Sequence, residues 1–455
     1  MGEPARKIEA KDEYLDLEDD DSKGFWGQSI AYGLPASVYL PLLAIILLAT
    51  FTGKLPDNMV GGTAFLLLVA GALVYIGDRL PIWKDWLGGG LIFALISGAF
   101  ISYFNIIPQG SFDTIVGFYY KPTNMLVWCI AALIAGSILT MPRTYLIKAL
   151  PLYIPAVFGG LIFSSLFAYF GGTITGYGGI KAILTVVMPI EGGGLGAGAI
   201  PMSEIYAQAT GLEFDQIFSM LIPAVVLGNI VAIVIGSVLN KVGDIKPSWT
   251  GNGILMAEDR WMPEGGIKEI KLKLSNESIV QGWVVAVSLL VIGYMLKDFI
   301  PIHYYALMII TTTLIKMFNI LPNKVEQSAG HFYKFVASGF YGPLLLGIGM
   351  YHFKLDILVQ TVTPTYLLLA FLVVTGAGLG AGIVGKVFFN LYPIESALTG
   401  GLCMANMGGS GDIAVLAGAH RMELMPFAQV SSRIGGAIML LFGQLAISIW
   451  AQYLM

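Results

Sequence analysis

The chain has 455 residues, of which 56% are hydrophobic and only 12% are charged. A soluble globular protein carries about 25% charged residues, so this composition excludes an ordinary soluble domain. The formal net charge is −4, and no basic excess of the kind found in nucleic-acid-binding proteins is present, so no nucleic-acid partner is expected. The two cysteines, Cys129 and Cys403, lie in apolar or glycine-rich stretches and do not constitute a disulfide framework.

The acidity is concentrated at the N-terminus. The first 23 residues hold nine acidic and four basic side chains, including the acidic run 18–21, and the rest of the chain is close to neutral. Low hydrophobicity and a block of like charge are typical of disordered segments. Residues 1–25 are therefore predicted to be a disordered, acidic, cytoplasmic tail, and they lack the layout of a cleavable signal peptide.

Eleven apolar runs follow the tail. A helix that spans a bilayer needs about 20 mostly apolar residues. The sequence therefore predicts an all-α polytopic membrane protein with about 11 transmembrane helices surrounded by membrane lipid. The runs are 31–51, 59–77, 87–107, 124–141, 149–170, 216–239, 279–296, 301–320, 336–351, 364–387 and 427–452.

The basic residues predict the orientation, because short cytoplasmic loops collect Lys and Arg. With a cytoplasmic N-terminus, nineteen of the 25 basic residues lie on the cytoplasmic side. Only Lys54, Lys121, Lys297 and Lys354 lie outside, and Lys181 and Arg433 fall at or within membrane segments. An odd number of spans places the C-terminus outside.

Two segments, near 180–205 and near 393–415, are apolar but too rich in glycine to cross as single helices. Each precedes the last run of its half, and unwound backbone at membrane depth must be buried by protein or line a water-filled cavity. They are predicted to be re-entrant hairpins in two inverted-topology halves, 26–239 and 279–455, joined by a cytoplasmic linker at 240–278. The alternative is that both are packing patches of small residues.

Arg433 lies just inside the last run, where an ionised side chain costs at least about 2.5 kcal/mol. A guanidinium binds a carboxylate bidentately, so this residue predicts an anionic substrate. The alternative is an interfacial arginine that extends to the membrane surface. Arg421, closer to a loop, is expected to anchor there or to pair with Glu423.

Asp412, with Asn406 and Ser410, offers hard oxygen ligands of the kind an alkali cation needs, which indicates a coupling ion. An Asp that caps the following helix is the alternative, and the two roles are compatible.

Three other acids lie near the glycine-rich segments. Glu204 and Glu395 are expected to pair with backbone amides at helix starts. Glu191 adjoins a glycine turn. Titration of its carboxyl group is the alternative, and it leaves open a transporter coupled to protons.

Signals of an enzyme are weak in this sequence. The four histidines show no metal-ligand spacing, and no strand precedes the dinucleotide-like pattern at 194–199. Ser410 is not in a nucleophile elbow, because Asp412 replaces its final glycine. An enzyme is therefore not expected.

Four motifs carry a specific resemblance. They are Gly-Gly-Gly-x-Gly-Ala-Gly-Ala-x-Pro-x-Ser-Glu-Ile-Tyr at 192–206, Gly-Leu-Cys-Met-Ala-Asn-x-Gly-Gly-Ser-Gly-Asp at 401–412 and Ala-Gln-Val-Ser-Ser-Arg-Ile-Gly-Gly at 428–436, with Tyr-Pro-Ile-Glu-Ser at 392–396. From about residue 30 onwards the chain resembles the bacterial 2-hydroxycarboxylate transporters, a family of sodium-citrate symporters and malate or citrate-malate carriers.

The resemblance implies a homodimer in the bacterial inner membrane, with a fixed part and a mobile part in each protomer and an elevator-type movement. It implies carboxylate binding at Arg433, Ser432, Ser410, Gly409, Gly408 and Met407 and, in the first hairpin, at Gly194, Leu195 and Gly196. It implies Na⁺ binding at Asp412, Asn406, Cys403 and Ser432.

Two departures from the family pattern bear on the substrate. Citrate-specific sodium symporters of this family carry Arg at the place of Met407 and Asn at the place of Leu195, and both contact citrate. Without them a third carboxylate is poorly matched. The expected function is therefore Na⁺-coupled symport of a 2-hydroxy-dicarboxylate, with malate favoured. A proton-coupled or exchange-type citrate/malate/lactate carrier is the alternative, and an anion channel a more distant one.

Overall fold

The structure is a computed structural model that describes residues 21–81, 89–120, 123–140, 143, 150–256, 274–300, 303–421 and 424–454. Most of the acidic tail predicted for residues 1–25 lies outside these ranges. So do residues 257–273 of the predicted linker 240–278, and Glu423.

The described chain begins with a 3₁₀ turn, Asp21–Gly27, and a small antiparallel hairpin of β1 (Ser29–Ala31) and β2 (Leu34–Pro35). Tyr32 and Gly33 make the tight turn with positive φ angles of 57° and 73°. Pro35 has extended dihedrals and precedes the first helix. The predicted run 31–51 therefore starts as a hairpin and becomes helical only from Ala36.

The first half of the chain continues with nine helices in the described ranges, and a π-helical turn, Leu195–Ala199, leads into the eighth of them. These helices are α1 (Ala36–Phe51), α2 (Met59–Gly77), α3 (Gly89–Tyr103), α4 (Gln109–Tyr119), α5 (Met125–Leu139), α6 (Leu150–Ile174), α7 (Gly179–Ile190), α8 (Ile200–Thr210) and α9 (Phe214–Ile245).

The second half includes two further π-helical turns, Ala397–Leu402 after α16 and Ser431–Gly435 between α18 and α19. Its described helices are α10 (Asn276–Lys297), α11 (Tyr304–Met317), α12 (Asn323–Gly339), α13 (Tyr341–Tyr351), α14 (Leu355–Thr361), α15 (Pro364–Phe389), α16 (Pro393–Ser396), α17 (Gly409–Gly418), α18 (Met425–Val430) and α19 (Gly436–Trp450).

Within the described ranges, six helical segments are long and apolar enough to cross a membrane, or seven if α13 and α14, bent by 86°, form one span. Other predicted runs form helices of 10–17 residues. Left-handed asparagines, Asn105 and Asn319, follow α3 and α11 and end them early. The chain is therefore a mostly helical, multi-pass membrane protein.

The helices pack in two groups. The first group contains α1 to α5 and α10 to α13, and the second contains α6 to α9 and α15 to α19. In the second group α6 packs most extensively against α15, and α9 packs against α17. Contacts between the groups are fewer and include those of α5 with the π-helical turns at 195–199 and 431–435.

The two glycine-rich segments both fold as helix, turn and helix. In the first, α7 ends at a turn of residues 191–194, which we call the first turn. In the second, the π-helical turn at 397–402 is followed by residues 403–408, the second turn, and then by α17. Both turns lie inside the second group of helices, where they build the site described next.

Candidate functional site

The two turns touch each other at their tips. A Cβ atom on Gly194 would lie 2.6 Å from the Met407 carbonyl oxygen, and one on Gly193 would lie 2.2 Å from the Ser432 carbonyl oxygen. Gly193 and Gly194 also have φ angles of +78° and +106°, where side chains are disfavoured. Glycine is therefore required at both positions for two reasons: the backbone conformation, and the close approach of the second turn to Gly194 and of the π-helical turn at 431–435 to Gly193.

Local hydrogen bonds define where each helix stops. The Glu191 amide donates to the Val187 carbonyl at 2.9 Å, closing the last turn of α7. In the second turn the Gly408 amide donates to Asn406 Oδ1 at 2.7 Å, and Gly408 has a φ of +90°. The Asp412 amide then bonds the Gly408 carbonyl at 2.9 Å, which starts α17.

A cavity of about 270 Å³ lies between the two helix groups. From the second group it is lined by both turns and by the segment that carries Arg433; the residues are Gly192, Gly193, Leu195, Met407, Gly408, Asp412, Ser432, Arg433, Gly436 and Ala437. The opposite wall comes from α3, α5, α11, α12 and α13; its residues are Leu91, Leu133, Ile134, Ser137, Ile138, Ile309, Tyr333, Ala337 and Tyr341. The cavity therefore has one wall on each group.

Arg433 is half-buried and lines this cavity from the π-helical turn at 431–435. Within the described part of the chain it forms no hydrogen bond and no ion pair, although it is near enough to Asp412 for their charges to interact. A guanidinium with five donors that faces an enclosed space without a protein partner is suited to an anionic ligand.

Asp412 is fully buried in the first turn of α17 and lines the same cavity. Its two oxygens accept from Asn406 Nδ2 at 3.0 Å and from Ser432 Oγ at 3.0 Å. These three side chains place carboxylate, amide and hydroxyl oxygens together, which is the ligand chemistry that hard cations prefer.

The other candidate residues occupy varied positions. Cys403 is fully buried at the start of the second turn, where its amide donates to the Leu398 carbonyl at 2.8 Å. Gly409 and Ser410 open α17 directly after Gly408, and the Ser410 side chain lies outside the described parts. Gly196 follows Leu195 within the π-helical turn at 195–199.

The two positions that depart from the family pattern both face the cavity. Leu195 is 2% exposed and Met407 is 8% exposed, and both are among its lining residues. An apolar side chain therefore stands at each place where the citrate-specific relatives are expected to carry a polar group.

Several polar groups at the site were not predicted. Asn229 in α9 is buried, and its Oδ1 accepts from the Met407 amide at 3.4 Å. The sequence signal that could have identified Asn229 is its polar amide side chain within an otherwise apolar run. Tyr333 and Ser137 bring hydroxyl groups to the opposite wall, and nothing in the sequence pattern places α5 and α12 beside the turns.

Arg421 lies at 7% exposure beside Glu395, with Nε 3.5 Å from Oε1. Its guanidinium also donates to Asn240 Oδ1 and Asn252 Oδ1, both at 3.0 Å. The structure thus gives Arg421 a buried acid from the far end of the second segment as a partner, and the predicted pairing with Glu423 lies outside the described residues. Glu395 accepts from Thr250 Oγ1 at 2.6 Å, so linker residues complete the cluster.

Comparisons with known proteins agree with this architecture. The chain is 37% identical over 406 residues to the Na(+)-malate symporter of Bacillus subtilis, covering 89% of each chain. It is 36% identical over 419 residues to the malate transporter MleP of Lactococcus lactis, covering 91% of this chain and 97% of that protein. It is 32% identical over 425 residues to the citrate/sodium symporter of Salmonella typhimurium, covering 92% and 94%.

These relatives are transporters, and the match to their family extends over residues 31–445, which includes both turns, Asp412 and Arg433. The chain therefore belongs to the 2-hydroxycarboxylate transporter family and is a membrane transporter, not an enzyme.

Proposed function

We propose that the protein is a Na⁺-coupled symporter of a 2-hydroxy-dicarboxylate, with malate as the preferred substrate. One observation carries this proposal: Arg433, which has no hydrogen bond or ion pair with the described residues, faces the cavity that is also lined by Asp412 and Ser432. An anion site and a set of cation ligands thus share one cavity, as coupled binding of both requires.

The substrate preference follows from the charges that line the cavity. A carboxylate buried without a partner is costly, so the number of anionic groups a site accepts follows the donors it offers. Arg433 supplies one planar fork, and amides at the turns, with the first residues of α17, supply further donors. Met407 and Leu195 supply none from their side chains, which favours two carboxylates over three.

The proposed coupling ion is Na⁺, which we treat as a second transported substrate. Asp412, Asn406 and Ser432 supply side-chain oxygens, and carbonyl groups of the second turn, including that of Cys403, supply others. The names of two relatives, the Na(+)-malate symporter and the citrate/sodium symporter, include the sodium ion. Asp412 supplies the negative charge that favours a cation at this place.

The architecture supports an elevator-type movement. The second group of helices holds both turns, Asp412 and Arg433, and the first group provides only the opposite wall of the cavity. Movement of the second group along the first would carry the bound substrate without breaking contacts inside either group. We propose that the first group is the fixed part and forms the homodimer.

The proposed topology has eleven spans, with the N-terminus in the cytoplasm, the C-terminus outside and the protein in a bacterial inner membrane. Each of the eleven apolar runs overlaps at least one helix of the described chain. Gly179–Ile190, an apolar helix too short to span, leads into the first turn and supports a re-entrant hairpin there.

The deciding experiment is uptake of radiolabelled malate into proteoliposomes, with an inward Na⁺ gradient or with choline in its place. At equal pH on both sides, malate should accumulate with the Na⁺ gradient and not in choline, saturate with concentration and be competed weakly by citrate and lactate. Nonsaturating flux without Na⁺ dependence would instead identify an anion channel.

An exchange-type or proton-coupled carrier remains the second candidate, because the malate transporter MleP, at 36% identity, has a name that specifies no coupling ion. That carrier would take up malate in choline medium when the proteoliposomes contain lactate or when an inward pH gradient is imposed. Either result would replace Na⁺ as the driving ion and would remove the proposed role of Asp412.

A further inference from the structure

The described chain contains four buried acidic side chains, and three of them have partners. Glu326 pairs with Lys316 Nζ at 2.6 Å, Glu395 accepts from Thr250 at 2.6 Å and lies beside Arg421, and Asp412 accepts from Asn406 and Ser432. Each of these carboxyl groups is therefore matched by a donor or a cation.

Glu191 is the fourth, and it has neither a hydrogen-bond donor to Oε1 nor a cation as a partner among the described residues. Its side chain is 1% exposed, Oε1 is buried without a hydrogen-bond partner, and no ion pair reaches it from the described residues. The backbone just before it, Met188–Ile190, packs against α9, α15 and α19.

Apart from Arg433, which lines the same cavity as Gly192 and Gly193, the charged and titratable groups of these elements lie far along them. Ile190 contacts α9 beside Gly228, about 20 Å by helix rise from the ends of that helix. The groups are Asp215, Lys241 and Asp244 at the ends of α9, Tyr366 and Lys386 at the ends of α15, Lys181 at the start of α7 and Arg433 before α19. Within the described parts of these elements, none is positioned to neutralise an ionised Glu191 by direct contact.

The burial of Glu191 determines which protonation state of its carboxyl group is lower in free energy. An ionised carboxylate in such a place costs several kcal/mol, whereas the neutral acid costs far less. In this conformation Glu191 therefore carries a proton. A side chain needed only to fill space would not have to be an acid.

Glu191 is also next to the substrate cavity. The residues that follow it, Gly192 and Gly193, line the cavity, and Gly193 lies against the Ser432 backbone. Ser432 in turn donates to Asp412. A movement that opens the first turn to water would therefore bring water to the segment that carries Glu191.

We propose that Glu191 is a proton-binding site of the transport cycle, so that the carrier moves one H⁺ with its carboxylate substrate. A proton from water on one side bonds to a carboxylate oxygen, is buried as the neutral acid, and is released to water on the other side. This inference rests on the proposed transport of a dicarboxylate and adds a second coupled ion to it.

The test uses the full chain in proteoliposomes with Na⁺ equal on both sides. Two assays are compared: malate counterflow at equal pH, which needs only the loaded carrier, and malate uptake driven by an inward pH gradient. Coupling to one proton limits accumulation to about tenfold per pH unit. The variant is Glu191→Gln, an isostere of the protonated acid, and the matched control is Glu213→Gln, an exposed acid just before α9.

We expect wild type and Glu213→Gln to show both activities, and Glu191→Gln to keep counterflow while losing stimulation by the pH gradient. Three results would each overturn the inference: no stimulation in wild type, undiminished stimulation in Glu191→Gln, or loss of counterflow in Glu191→Gln, which would mark a structural role. Failure of the proposed function is distinct, because it shows in the wild type alone, as an absence of Na⁺-driven uptake of malate.

Discussion

Ser432 donates a hydrogen bond of 3.0 Å to Asp412, twenty positions away in the chain. Asp412 belongs to the first turn of α17, and Ser432 directly precedes Arg433 in the π-helical turn at 431–435. This hydrogen bond thus joins the proposed cation ligand, Asp412, to the segment that carries the proposed anion ligand, Arg433. Anything that moves one backbone segment moves the other, which gives binding of the two substrates a physical route to depend on each other.

Arg433→Ala should abolish malate uptake. The half-buried guanidinium has no protein partner in the described chain, so its removal leaves the fold intact but removes a charge-assisted contact worth about 1.5 to 3 kcal/mol. That is roughly a tenfold to hundredfold loss of affinity. Radiolabelled uptake and size-exclusion chromatography measure the two effects. Arg79→Ala, at an exposed position, is the matched control, and wild-type uptake by Arg433→Ala would refute the assignment.

Met407→Arg should shift the preference from malate towards citrate. Met407 lines the cavity beside Gly408, so a guanidinium there would meet an additional carboxylate. Competition of labelled malate uptake by citrate measures the ratio of affinities. Leu195→Asn should act in the same direction with a smaller effect, because an amide adds a donor but no charge. An unchanged ratio of citrate and malate affinities in both variants would show that these positions do not contact the third carboxylate.

Asp412→Asn should raise the Na⁺ concentration needed for half-maximal uptake by about tenfold or more, since a charged ligand is replaced by a neutral one of the same shape. Ser432→Ala should have a smaller effect, because it removes one neutral donor. Malate uptake against Na⁺ concentration provides the measurement, with Asp356→Asn at an exposed position as control. Equal Na⁺ dependence of all variants would exclude Asp412 as a ligand.

Gly193→Ala should abolish transport, whereas Gly176→Ala should not. Both glycines have nearly the same left-handed φ, 78° and 75°. A Cβ on Gly193 would lie 2.2 Å from the Ser432 carbonyl oxygen, and one on Gly176 would have nothing within 4 Å. Both substitutions thus cost about 1 kcal/mol of backbone strain, and they differ only in the contact of Gly193 with the π-helical turn at 431–435. Similar malate uptake by the two variants would mean that this contact is not needed.

Glu395→Gln should destabilise the protein by about 3 to 5 kcal/mol, because it leaves the buried Arg421 charge without its acid. Thermal unfolding in detergent measures the loss. The double variant Arg421→Met with Glu395→Leu should recover much of the stability, since no charge then stays buried. Glu277→Gln, in the first turn of α10 and exposed, controls for loss of a surface acid. Additive losses in the double variant would contradict the proposed pairing.

Some helices could be predicted from the local sequence. The run 59–77 coincides with α2, because continuous apolar residues lie between an Asn58 cap and the helix end at Gly77. Helices α4 and α12 were not predicted as elements. The polar start of α12 and the short length of α4 escape a search for apolar runs of spanning length.

The sequence by itself determined the membrane class and the two glycine-rich interruptions, and it singled out Arg433 and Asp412 as candidates, because each is a local signal: charge or glycine where apolar residues are required. Only the tertiary structure decided which residues meet. Asn229 reaches the Met407 amide across 178 positions and Thr250 reaches Glu395 across 145. Such contacts arise from the packing of helices distant in the chain, and no local pattern encodes them.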